Sequence, residues 1–132
     1  PGNAQAAEDV PDESQDVAEV QDSNRMAIVA RMKHLIGVES KRASDSAKRH
    51  PDFNNWVNAW YPKWQKTLAK AVAEFGGDQQ VASDYCSKNK SQLLDVAGTV
   101  TKEGLPEAVE EVVNNWTSKA DLLADSILNE EN

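Results

Sequence analysis

Between Phe53 and Phe75 lie six of the chain's eight aromatic residues, and Phe53, Trp56, Trp60 and Trp64 recur at helical spacing. The same stripe runs on to Leu68, Val72 and Phe75. Steps of three and four residues gather side chains on one face of an α-helix, whereas a strand would divide them between two faces. Each ring buries roughly 150–250 Å² when packed, so a chain carrying this stripe must fold it against something. No segment shows the alternation of apolar and polar residues that marks a strand, and no internal repeat is evident. The expected fold is all-α, with four to five helices in a small bundle or irregular array.

Punctuation in the chain suggests where the helices end. Asp22, Ser23 and Asn24 offer N-cap oxygens ahead of a pattern carried by Ile28, Met32, Leu35 and Glu39, with Val29, Ile36, Ala43 and Ala47 as a neighbouring stripe. Pro51 ends this first helix, because the residue before a proline is pushed out of helical geometry. Pro62 either kinks the aromatic helix or starts a second one there. Gly76-Gly77 closes it. Asp78 can cap a helix carrying Val81, Ala82, Tyr85 and Cys86 and running through Leu93, Leu94 and Val96. A loop over 98–105 precedes a last amphipathic helix over 106–129, opened by Pro106 and carrying Val109, Val112, Trp116, Ala120, Leu123 and Ile127. The expected core includes Val29, Ile36, Trp60, Leu68, Val72, Tyr85, Leu94, Val112, Trp116 and Leu123.

Charge divides the chain unevenly. Residues 1–24 hold seven acids and no base, residues 25–50 balance at +5, and residues 51–132 at -6, for a net charge of -8. Residues 1–22 are poor in large apolar side chains and cannot offset their chain entropy by burial, so this segment reads as a disordered acidic tail or linker before a helical domain over 23–97. The acidic total argues against general nucleic-acid binding, with one exception. Arg25, Arg31, Lys33, Lys41, Arg42, Lys48 and Arg49 make the first helix basic, a candidate surface for a protein partner or for nucleic acid. An ordinary solvated face is the more economical reading of these seven cations. No apolar run is long enough to span a bilayer, and a single cysteine suits a reducing compartment, so an intracellular soluble protein without a membrane partner is expected. The chain begins Pro-Gly-Asn, as a fragment or processed product would.

Chemistry-bearing constellations are scarce. His34 and His50 have no Cys or carboxylate at ligand spacing, so neither a metal nor a cofactor is expected. Cys86 has no assignable base and reads as a small packing residue. The carboxylate pairs Glu110-Glu111 and Glu130-Glu131 are sequence neighbours and do not face one another on a helix. The chain is thus expected not to be an enzyme. Trp56, Trp64 and Trp116 are the candidate protein-interaction aromatics, although core is the better reading of the stripe as a whole.

The order of elements carries a resemblance. A basic amphipathic helix from Asn24 to Arg49 leads into an aromatic helix, Phe53-Asn54-Asn55-Trp56 through Trp60-Tyr61-Pro62-Lys63-Trp64. Then come Ala82-Ser83-Asp84-Tyr85-Cys86 and the pair Leu93-Leu94. Over residues 24–97 this resembles the C-terminal helical region of portal proteins from tailed double-stranded DNA phages. The resemblance implies a structural role at a capsid vertex, in virion assembly and DNA packaging, with the basic helix toward DNA or neighbouring subunits and location in the virion. Two other expectations stand beside it. One is a small helical protein–protein binding module, an adaptor or regulator, which would grip its partner by the aromatic stripe or the last helix. The other is a nucleic-acid-binding helical domain using the basic helix.

Overall fold

The structure, a computed structural model, describes residues 13–130, with side chains over residues 23–129. Five helices follow one another: α1 (Glu13–Arg49), α2 (Phe53–Glu74), α3 (Gln79–Thr99), α4 (Leu105–Ser118) and α5 (Ala120–Glu130). No strand occurs among the described residues. Contacts between side chains set the directions. Trp60 reaches Glu39 while Glu74 lies by Arg31, so α2 runs antiparallel to α1. Gln65 meets Ser83 and Trp64 meets Asn89, which makes α2 and α3 a hairpin. Ser40 bonds Val113 and Arg25 bonds Asp125, so α4 and α5 descend in turn along α1. The result is an up-down-up-down four-helix bundle whose fourth member is broken in two. In it α2 and α4 stand at opposite corners, each flanked by α1 and α3.

Helix ends obey the local chemistry. The Asp52 side chain accepts from the Asn55 N–H at 3.1 Å and opens α2, and Asp78 accepts from the Gln80 N–H at 2.9 Å and opens α3. At the end of α2 the Gly77 N–H bonds the Val72 carbonyl at 3.1 Å and the Gly76 N–H bonds that of Ala73 at 3.0 Å. This pairing is a Schellman turn. The two glycines serve different needs. Gly76 takes φ 75°, where a Cβ is strained. At Gly77 a Cβ would stand 2.8 Å from the Ile127 side chain and 2.9 Å from that of Val72.

Four sequence expectations need correction. The backbone of α1 is helical from Glu13, well ahead of Ser23 or Asn24. Of the expected acidic tail over residues 1–22, residues 1–12 lie outside the described residues and 13–22 belong to α1. Of the two readings of Pro62, the start of a second helix is overturned: α2 runs through it, with the ring on the solvent side, where water can serve the carbonyl left without a donor. The expected helix over 106–129 is two helices meeting at Lys119. No Gly or Pro marks that break. Thr117 and Ser118 turn their hydroxyls back onto the carbonyls of Val113 and Asn115, at 3.4 and 2.9 Å, a competition that bends helices. Finally, the expected loop over 98–105 shrinks at both ends, because α3 extends through Thr99 and α4 begins at Leu105.

The core is continuous from Ile28, Met32 and Ile36 of α1 through Val57, Trp60, Trp64 and Leu68 to Val109, Val113 and Trp116, closing on Leu123 and Ile127. Of the expected core, Val29, Tyr85, Leu94 and Val112 are only half-buried. They sit at stripe edges, where periodicity cannot tell a core position from a boundary one. The α1 face toward α4 is built of small residues, Ser40, Ala43, Ser44 and Ala47, all buried. Ser40 Oγ donates to the Val113 carbonyl at 3.2 Å across that contact. Both glycines should be costly to replace. Gly76→Ala is expected to lose about 1–2 kcal/mol of stability in urea denaturation, the scale of one residue forced into a left-handed conformation. Gly77→Ala should lose comparable stability in the same measurement, because its Cβ would press on the Ile127 Cγ2 and Val72 Cγ1 methyls.

Candidate interaction surface

The aromatic stripe forms a ladder inside the bundle. Phe53 stacks on Trp56 with centroids 5.6 Å apart, Trp56 on Trp60 at 5.4 Å, and Trp60 on Trp116 of α4 at 6.3 Å with the rings nearly parallel. Each fully enclosed indole has an acceptor. Trp60 Nε1 donates to Glu39 Oε2 at 3.0 Å, Trp64 Nε1 to Asn89 Oδ1 at 2.8 Å, and Trp116 Nε1 to Gln92 Oε1. Glu39 is itself buried, and its other oxygen lies 3.4 Å from Arg42 Nη1. A buried carboxylate is tolerable only when paired and hydrogen-bonded in this way.

This arrangement withdraws two of the three candidate interaction aromatics. Trp64 is 1% exposed and Trp116 4%. Both indoles are consumed by core packing and internal hydrogen bonds, so neither can meet a partner. Trp56 is half-buried and lines a small cleft of about 180 Å³ with Arg42, Lys63 and Thr67. Phe53 and Trp60 flank its ring along α2, so solvent sees mainly an edge. A base or peptide ring could not stack on it without displacing a neighbour.

The seven cations of α1 are not brought together. Arg25 pairs with Asp125 at 2.7 Å, Arg31 lies 3.6 Å from Glu74, and Arg42 is engaged by Glu39. The Arg25 hydrogen bond holds the Asp125 carboxyl below its ordinary value. Helical spacing puts Arg31, Arg42 and Arg49 on the side of α1 toward α2. Lys41 and Lys48 instead line the groove toward α4, alongside Asp45 and Glu110. Lys33 is exposed on the outer side. At the end of the bundle Lys48, Arg49, His50 and Lys102 border a cleft of about 630 Å³ that also holds Asp52 and Glu103.

A sharper separation of charge lies on α2 and α4, which the sequence pattern does not single out. From Phe53 to Ala73 α2 contains no acid, and Lys63, Lys66 and Lys70 are all exposed. Its one acid, Glu74, is the partner of Arg31. Helix α4 holds Glu107, Glu110 and Glu111 and no base, all three exposed, and α5 continues with Asp121 and Asp125. Since α2 and α4 occupy opposite corners, the bundle is positive at one edge and negative at the other. The residues are visible in the sequence, but their diagonal placement is not. Large apolar side chains on the surface, Met26, Val38, Val100 and Leu122, are scattered and form no common patch by position.

No family model, curated protein or solved structure matches the chain. Among the described residues no group of His, Cys, Asp or Glu is placed to hold a metal ion, and no helix is long and apolar enough to cross a membrane.

Cys86 is fully buried beneath this surface, and Tyr85 is half-buried beside it. Burial, and secondarily the Glu39 carboxylate, push the Cys86 thiol up to about 12. Burial likewise pushes Tyr85 up to about 12. Asn89 acts weakly in the opposite sense, but its amide oxygen is committed to Trp64, and Tyr85 Oη makes no hydrogen bond. Both groups have raised values in the folded chain, against 9.0 and 10.0 ordinarily, so the unfolded chain binds fewer protons between about pH 9 and 12. Stability is therefore complete below pH 9 and falls as pH rises through that window. Urea midpoints at pH 8, 9.5 and 10.5 should decline in order, with a shallower decline in Cys86→Ala.

Proposed function

We propose that the chain is a non-enzymatic assembly module, a helical bundle that joins protein surfaces through its charged edges. The observation that supports this most is the diagonal separation of the α2 lysines from the α4 carboxylates. Faces of opposite sign steer encounter, fix the register of a contact and reject like-charged surfaces. They require no reacting group, and the thiol with the best claim to chemistry is enclosed and held protonated. An adaptor or regulator would use the same surfaces.

Within this reading, the succession of a basic helix, an aromatic helix and a Tyr-Cys helix supports a more specific setting. It is the C-terminal region of a tailed-phage portal protein, acting in virion assembly and DNA packaging. Nucleic acid is the weaker alternative as a partner, because the α1 cations are split between three sides and several are already paired with carboxylates. Arg42→Glu combined with Arg49→Glu should accordingly leave retention on DNA-cellulose unchanged.

The assembly reading is tested on the chain isolated gently from its natural source. It should be recovered in complex with other chains at low salt and released from them at high salt, and recovery alone at low salt would overturn it. For the portal setting, the reading frame upstream of the Pro1 codon should stay open over a long coding sequence. A stop codon directly before Pro1 would end that proposal.

A further inference from the structure

The outer side of α2 is left open by the other described helices. It forms a shallow cleft of about 720 Å³ lined by Pro62, Gln65, Lys66, Ala69, Lys70 and Ala73. Its middle is methyl and ring carbon, and its rim carries two lysines one helical turn apart. At the opposite corner of the bundle, α4 presents Glu107 and Glu111, also one turn apart and exposed, with Asn114, Asn115 and Ser118 completing that face.

We propose that the α2 groove of one molecule receives the outer face of α4 from a second copy of this chain. The inference rests on the assembly reading and names its partner. Three features of the molecule carry it. Lys66–Lys70 and Glu107–Glu111 share the same four-residue interval, a rise of about 6 Å, so two helices laid side by side can close both ion pairs at once. Acid is missing from α2 along the whole groove and base from α4 along the whole face, so no like-charged neighbour opposes the contact. Ala69 and Ala73 let a helix approach closely, and their methyl groups leave water on contact. The rim charges then fix register and speed encounter, while the apolar middle holds the copies together.

Because groove and face stand at opposite corners, a molecule cannot satisfy its own groove with its own face. The contact is heterologous, so each added copy leaves one groove and one face free, and growth continues into a ring or a filament.

The test is sedimentation velocity of the full chain over a range of concentrations, at about 20 mM and about 500 mM NaCl, where screening differs strongly. The wild-type chain should form species larger than 14.5 kDa at low salt and return to that mass at high salt. Lys66→Glu with Lys70→Glu makes both surfaces acidic, and Glu107→Lys with Glu111→Lys makes both basic. Each variant alone should be monomeric at low salt with unchanged helical circular dichroism, and an equimolar mixture of the two should associate again. If a reversal costs helicity, Gln at the same two positions replaces it and should weaken association without unfolding. A wild-type chain that stays monomeric at low salt overturns the proposal, as does association that persists in each variant alone or a mixture that fails to associate. A monomeric pure chain that is still recovered from its source with other chains removes self-docking and leaves the assembly reading standing.

Discussion

Trp60 and Trp116 lie with their rings nearly parallel between opposite helices of the bundle, and the hydrogen bonds of their indoles tie that contact to the two remaining helices. Trp60 of α2 donates to Glu39 of α1, and Trp116 of α4 donates to Gln92 of α3. One layer therefore joins all four long elements. An indole N–H buried without an acceptor would lose roughly 1–3 kcal/mol, so the acceptors are a condition of burying these rings. Because the partners are fixed donors and acceptors, the layer admits one rotation of each helix. A purely apolar layer could be satisfied by several.

That layer also explains the surface. With α2 facing α4 across the diagonal through their tryptophans, the opposite sides of both helices must point to solvent. On α2 those positions are lysines and on α4 they are glutamates. The interior contact and the exterior charge separation are two sides of the same helices. Helix α1 is the long spine against which α4 and α5 lie, and its small residues Ser40, Ala43, Ser44 and Ala47 let them approach. The polar groove left along that seam mixes Lys41 and Lys48 with Asp45 and Glu110, so it has no dominant sign.

Where sequence pattern and structure part, the causes are physical. Trp56 and Trp64 occupy the same stripe, and periodicity ranks both as core or both as surface. Only the neighbours decide, by covering Trp64 with Asn89 and leaving the edge of Trp56 open. The seven α1 cations suggest one surface because they are close in sequence, yet a helix distributes close neighbours around its axis. The break at Lys119 is invisible in the pattern because no Gly or Pro marks it, and the hydroxyl-to-carbonyl bonds of Thr117 and Ser118 beside it are of a kind that Thr67 also makes inside the unbroken α2.

Spacing of apolar residues, the cap at Asp78, the stop at Pro51 and the stop at Gly76-Gly77 are local, each acting within a turn or two of its own position, and sequence alone determined them. They were sufficient for the all-α class, for most helix boundaries and for a core centred on Trp60, Leu68, Val72 and Trp116. Tertiary structure alone decided which helices stand at opposite corners, which acceptor each indole finds and which charges end on a common edge. Those facts depend on contacts between residues far apart in the chain, such as Glu39 with Trp60 and Gln92 with Trp116, and a one-dimensional pattern does not encode which face of one helix meets which face of another.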